Sequence, residues 1–142
     1  MSAMTEAVYK RMSQDSALVS MLPRYHGQPT IFTAEPVPPD APLPLIITAG
    51  QVSDITDVPE HSKQRVGSRP VRDIRVFGDA TGSMRQVECI ADRVWELFHK
   101  YDLQVTGWET VRCRATRPFF AVADGRVYGL VVTLNLALNK EV

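Results

Sequence analysis

A chain of 142 residues has room for one domain with a real core and none for two ordinary ones. With 44% hydrophobic and 23% charged residues it has the make-up of a folded globular domain, and no run comes near the roughly 18 apolar residues a membrane span needs. Sixteen basic residues balance sixteen acidic ones, so the whole-molecule field gives no reason to expect a nucleic-acid binder or a membrane-surface protein, although a local patch stays open.

Met1–Ser13 lacks the apolar core of a secretory signal, which predicts synthesis in the cytoplasm. Met4, Val8 and Met12 are spaced by four, and Leu18, Val19 and Leu22 continue an apolar face. This predicts a helix over Thr5–Met21, with Ser13 or Asp15 able to cap a fresh turn and break it near Asp15, and Pro23 ending it. Thr30-Ile31-Phe32-Thr33 reads as a short strand. The proline-rich run Glu35–Pro44 has too few N–H groups for a helix or central strand, so it reads as an extended surface connection. Leu45–Val52 reads as a strand with Leu45, Ile47 and Ala49 on one face. The polar stretch 54–68 then reads as a long loop or protruding hairpin arm, and a loop of that length marks a working surface. Pro70–Phe77 restores a strand.

Ser83–Tyr101 is the chain's strongest signal. Met84, Val87, Ala91, Val94, Phe98 and Tyr101 recur at spacings of three and four, with Ile90 and Leu97 widening the stripe, which predicts a long helix with one buried face. Val87, Ala91, Val94 and Phe98 are its expected core residues. Ser83 and Gln86 have the spacing of a capping box, and Gly78–Gly82 before them is turn chemistry. Trp108–Thr116 alternates, with Val111, Cys113 and Ala115 on one side and Thr110, Arg112, Arg114 and Thr116 on the other. Asp124-Gly125 predicts a tight hairpin leading into Val127–Asn139, whose Leu130, Val132, Leu134, Leu136 and Leu138 share a face. The sum is an α+β domain over residues 1–142: an antiparallel-dominated sheet, the long helix packed on one face, and an N-terminal helix.

No catalytic constellation emerges. His26, His61 and His99 lie in separate segments without a ligand-spaced partner, Cys89 and Cys113 fit no metal or redox spacing and read as buried free thiols, and no phosphate-loop or nucleophile-elbow motif occurs. The expectation is therefore no catalytic residue, no metal and no cofactor. What does stand out is charge segregation. Lys63, Arg65, Arg69, Arg72 and Arg75 have Asp73 as their one acidic neighbour, and Arg112, Arg114 and Arg117 share the polar side of a strand. Two readings stay open: a surface for phosphates or an acidic partner, or a solvated strand face balanced by acids across the sheet. With no aromatic residues interleaved in the loop to stack bases, any DNA contact would be non-specific and salt-sensitive. The long terminal strands also leave edges that must be paired, covered or blunted, within the chain or by another copy.

Ala41-Pro42-Leu43-Pro44-Leu45-Ile46-Ile47 leading from an N-terminal helix into a strand, a polar loop, a strand ending Ile74-Arg75-Val76-Phe77-Gly78, a long helix and an Asp-Gly hairpin form a familiar order. It resembles the tail-completion, or tail-terminator, proteins of long-tailed bacteriophages and related gene-transfer particles. The likeness covers Met4–Asn139 and is carried best by LPLIITAGQVSD, RDIRVFGDATGSMRQVECIADRVWELF and VADGRVYGLVVTLNLAL, while the 54–68 loop departs from it. The resemblance implies a structural virion protein rather than an enzyme. Its implied form is a homohexameric ring that caps the tail tube at the head-proximal end and joins it to the connector. The implied partners are further copies of itself, the tail tube protein and the head–tail connector protein, with non-specific contact to DNA in the channel and none to membrane. Lys63, Arg65, Arg69, Arg112 and Arg114 would then face the DNA channel or a partner. A neck or head–tail adaptor of the same particle is the alternative, and a small α+β enzyme, resting on His61 or Cys113, the remote one.

Overall fold

The computed structural model describes residues 2–34, 37–48, 53–55, 67–79, 84–124 and 127–140. Two short helices open the chain, α1 (Ser2–Ser13) and α2 (Ser16–Ser20). The break falls where a cap was expected: Asp15 is extended, and its carboxylate accepts from Leu18 N–H at 2.9 Å, satisfying a donor that a helix start otherwise leaves open. A small hairpin follows, β1 (Arg24–Tyr25) against β2 (Gln28–Pro29). Its turn residues His26 and Gly27 have φ of 51° and 81°, the two successive positive values a primed turn requires. Nothing in the sequence reading anticipated it, because His-Gly is an unusual turn pair.

Among the described residues the main sheet has seven strands: β3 (Ile31–Phe32), β4 (Leu45–Ile47), β5 (Ser53–Ile55), β6 (Gly67–Asp79), β7 (Trp108–Ala115), β8 (Phe119–Asp124) and β9 (Val127–Lys140). The order is β3-β4-β6-β9-β7, with β5 also on β6 and β8 also on β9. Only the β3–β4 pair is parallel, so the sheet is mixed but dominated by antiparallel pairs. β7 and β8 run in one direction along the same side of β9, interrupted at Thr116–Pro118, and β4 and β5 do the same along β6. The polar stretch expected from Asp54 to Ser68 therefore begins and ends in paired strand, with Asp54 opposite Pro70 and Ile55 opposite Arg69; residues 56–66 lie outside the described residues. β6 begins three residues before the expected Pro70. It keeps that proline because the β6–β9 ladder skips from Ser68↔Leu138 to Val71↔Asn135, where no N–H is asked of it. At the other end Asp124 pairs with Val127, as a tight hairpin demands, with residues 125 and 126 outside the described set.

The principal helix, α3, is Arg85–Phe98, shorter at both ends than its apolar stripe. Met84 occupies the N-cap with no side-chain cap bond and is exposed, and Ser83, on which the expected capping box rests, lies outside the described residues. The helix stops because Lys100 takes φ 59° and turns its N–H to the Cys113 carbonyl at 3.0 Å, handing the chain to β7. Val87, Ala91, Val94 and Phe98, with Ile90 and Leu97, are buried on one face of the sheet against Ile74, Val76 and alternate residues Leu130 to Leu138. α1 covers the rest of that face through Met4, Val8 and Met12. Gly78, expected in a turn, is instead in β6, where an added Cβ would lie 2.3 Å from Val87 Cγ2; glycine there lets helix and strand close.

Two further expectations give way. Val111 is 60% exposed, because a bulge between Thr110 and Arg112 inserts one residue and flips the alternation. Thr110 thereby reaches the core side and donates to the Leu103 carbonyl, while Cys113 and Ala115 remain buried. Of the two thiols only Cys113 is buried, its Sγ 3.3 Å from the Phe98 carbonyl and its pKa pushed up to about 12 by burial and by Asp102; Cys89 is exposed on the polar side of α3.

Candidate functional site

One face of the sheet carries the helices; the other is where its charges collect. Side chains opposite one another in adjacent strands share a face, so the pairings place residues directly. Arg112 is opposite Ala137, and the antiparallel phase of β6 on β9 brings Arg69 alongside Ala137 from the other side. One row on, Arg114, Asn135 and Val71 are aligned. Arg69, Arg112 and Arg114, with the bulged Val111, line a shallow basin of about 300 Å³ whose floor is Ala137. Two of these arginines come from β7 and one from β6, more than forty positions away in sequence, and only the small side chain of Ala137 between them leaves the basin open. Glu109, opposite Asn139, stands on the same face one row further.

The remaining basic residues divide. Arg72 points to the helix side, is buried, and donates from Nη1 to Thr5 Oγ1 of α1 at 3.1 Å. It is thus part of the packing rather than the basin. Arg75 is exposed on the basin's face but two rows away, and the intervening Asp73 accepts from Thr133 Oγ1 at 2.8 Å. Arg117 stacks on the Trp95 ring at 3.8 Å. Lys63 and Arg65 lie outside the described residues.

The segment joining β7 to β8 is held by a separate set of contacts. Trp95 donates to the Ala115 carbonyl at 3.1 Å and stacks on His99 with ring centroids 4.6 Å apart; His99 Nδ1 accepts from Ala115 N–H at 3.2 Å. Thr116 and Thr133 exchange two hydrogen bonds, 3.0 and 3.1 Å. Just beyond this elbow Phe119 and Phe120 are 50% and 55% exposed. The sequence reading passed over them, yet two aromatics following a proline at the start of an edge strand were signal enough.

At the opposite edge of the sheet, Thr5, Glu6, Tyr9 and Thr33 line a mostly apolar pocket of about 400 Å³. Between α2 and α3, Arg93 donates to both carboxylate oxygens of Asp15, at 2.7 and 2.9 Å, and to Glu96 at 3.1 Å. Hydrogen bonding to Arg93 holds the Asp15 carboxyl below its usual range, with the Leu18 N–H adding to the effect and partial burial opposing it. Tyr25 donates to Asp40 at 2.8 Å, which raises its phenol pKa. Among the described residues no three His, Cys, Asp or Glu side chains converge as a metal site would need, and no helix is long and apolar enough to cross a membrane.

No protein-family model matches the chain, and no curated protein matches it. Its fold does match solved structures. A chain of the virion of a native gene transfer agent particle superposes with a TM-score of 0.76 at 19% identity, over 97% of this chain and 96% of that one. A second solved chain, of no descriptive name, superposes with a TM-score of 0.58 at 14% identity, over 99% and 95% of the two chains. At these identities the likeness is one of fold, and it extends from end to end of all three chains.

Proposed function

We propose that this protein is a structural component of a phage-like particle, a tail terminator whose six copies form a ring. The ring caps the tail tube and joins it to the head-proximal connector. The observation that carries this reading is the end-to-end superposition on a chain of a gene transfer agent virion, with almost nothing left over on either side. Two features of the chain agree with it. Its strongest chemical feature is a three-arginine basin on the helix-free face of the sheet, suited to a polyanion or an acidic partner rather than to bond-making. Its other distinctive surfaces are an exposed aromatic pair and an apolar pocket on opposite sheet edges, as repeated subunit contacts require.

In the ring the basin faces the DNA path or the connector. Contact with DNA there is to phosphates alone, so its strength falls steeply with salt. Polymerisation of the particle's own tail tube protein tests the reading. With this chain added, tubes stop short and carry a ring at one end; tubes of unchanged length with bare ends would refute it. Reversing Lys63, Arg65 and Arg69 to glutamate should leave the subunit folded and impair tail joining or DNA passage, and normal infectivity of particles carrying the triple variant would remove these residues from the role.

A further inference from the structure

The exposed aromatic pair and the apolar pocket belong to opposite ends of one sheet. Phe119 and Phe120 begin β8 on the outer side of β9, and Thr33 directly follows β3, the strand at the other end of the order. Phe120 is opposite Leu130, whose side chain points to the helix-covered face, and the pocket opens in that same layer, between α1 and the β3 edge. Knob and hole therefore sit at one height on two flanks of the molecule. The pocket wall is anchored, since Thr5 is held by Arg72 and the neighbouring Met4 and Val8 are core residues. The knob is anchored as well, by the Trp95, His99 and Thr133 contacts that fix the elbow before it.

From this geometry we infer that the ring's repeating contact is made head to tail: Phe120 enters the Thr5–Glu6–Tyr9–Thr33 pocket of the next copy of this chain. The inference rests on the ring reading above and assigns its interface. Charge favours a second copy as the occupant. Arg117, three positions before Phe120 and held on the helix side by its stack on Trp95, puts a positive charge beside the knob, while the pocket wall carries Glu6, whose present partner Lys10 is 2.9 Å away in a pair about 60% exposed on both sides. Such a pair contributes little and gives up its partner readily. The shape of the edges favours it too. β3 is only two residues long, which offers little backbone for continuing one sheet into the next and favours a contact made by side chains, one that lets adjacent copies turn relative to each other as ring closure requires.

Disulfide trapping tests this in the full chain and does not depend on the ring being stable. In a Cys89→Ser background, with Cys113 buried and inert, Phe120→Cys and Thr33→Cys together should give a ladder of oxidised oligomers running past dimer, whereas either cysteine alone gives dimer at most. Absence of a ladder overturns the inference. A wild-type ring without a ladder condemns this interface alone; a ladder without any ring upholds the contact and counts against the ring. A mixing experiment gives the second readout. Phe120→Asp loses the knob and Tyr9→Arg the pocket, each weakening self-association by about 30-fold or more, the loss of 2 kcal/mol that a central aromatic contact carries. Mixed together they retain one good interface and should form heterodimers that go no further; two monomer populations that ignore each other would contradict the contact.

Discussion

On the helix side of the sheet, Ile74, Val76, Cys113 and the even-numbered residues Leu130 to Leu138 are shut against α1 and α3, and the one buried charge among the described residues, Arg72, is tied to Thr5. On the other side the same strands present Arg69, Arg75, Arg112, Arg114 and Asn135. A strand with a two-residue period gives each face its own sequence. One set of alternate positions is committed to holding the fold, and the other is free to vary with whatever the protein meets. Substitutions should therefore sort by face, with unfolding on one side and altered association on the other.

The largest effect is expected at the centre of the closed face. Val94 is fully buried in α3, and Val94→Asp places a carboxylate there with no partner, enough to exceed the stability of a domain this size, about 5–15 kcal/mol. The variant should be insoluble or lack a cooperative melt by circular dichroism; a soluble protein with wild-type melting would put the core on the wrong side of the helix. Gly78→Ala comes next. Its Cβ would sit 2.3 Å from Val87 Cγ2, and relieving that overlap should cost about 1–3 kcal/mol by urea denaturation, partly recovered in the Gly78→Ala, Val87→Ala double variant.

Smaller again is the seam between α2 and α3. Asp15→Ala loses the helix cap, about 1 kcal/mol, together with the carboxylate that Arg93 grips. Because the folded Asp15 carboxyl has a lowered pKa, the stability it adds is fully present above the ordinary aspartate value of about 3.9. It fades as pH falls through the lower folded value. Urea midpoints of wild type and Asp15→Ala should therefore converge below about pH 4, and a gap that stays constant into acid would refute the linkage. The smallest effect on folding is expected on the open face: Arg112→Glu with Arg114→Glu should shift stability by no more than about 0.5 kcal/mol while changing the salt dependence of partner binding. If that pair melts the subunit, the face is not open.

Much of the closed face was legible because periodicity is local. The 3.6-residue stripe through Val87, Ala91, Val94 and Phe98 and the alternation from Leu130 to Leu138 each lie within one element, and Asp15 announces its own break. What escaped was phase and register. One inserted residue at Val111 exchanges the faces of the residues before it, and sequence shows no mark of the insertion. Arg72 looks like its neighbours Arg69 and Arg75 until α1, some sixty-seven positions earlier, supplies Thr5 over it. The basin itself depends on the alignment of β6 and β7 on β9, a matter of long-range pairing, so its members were visible as charges but not as a group. The aromatic knob and its pocket were invisible for the same reason, since neither has meaning until the order of strands sets them at opposite edges.

The proposal that this chain builds a ring at the end of a tail tube has a direct test. Negative-stain electron microscopy of the purified protein, alone and incubated with tubes of the particle's tail tube protein, tests it most directly. The account predicts closed six-subunit rings, free in solution or seated at one end of the tube. A chain that forms no ring alone and leaves both tube ends bare would contradict it.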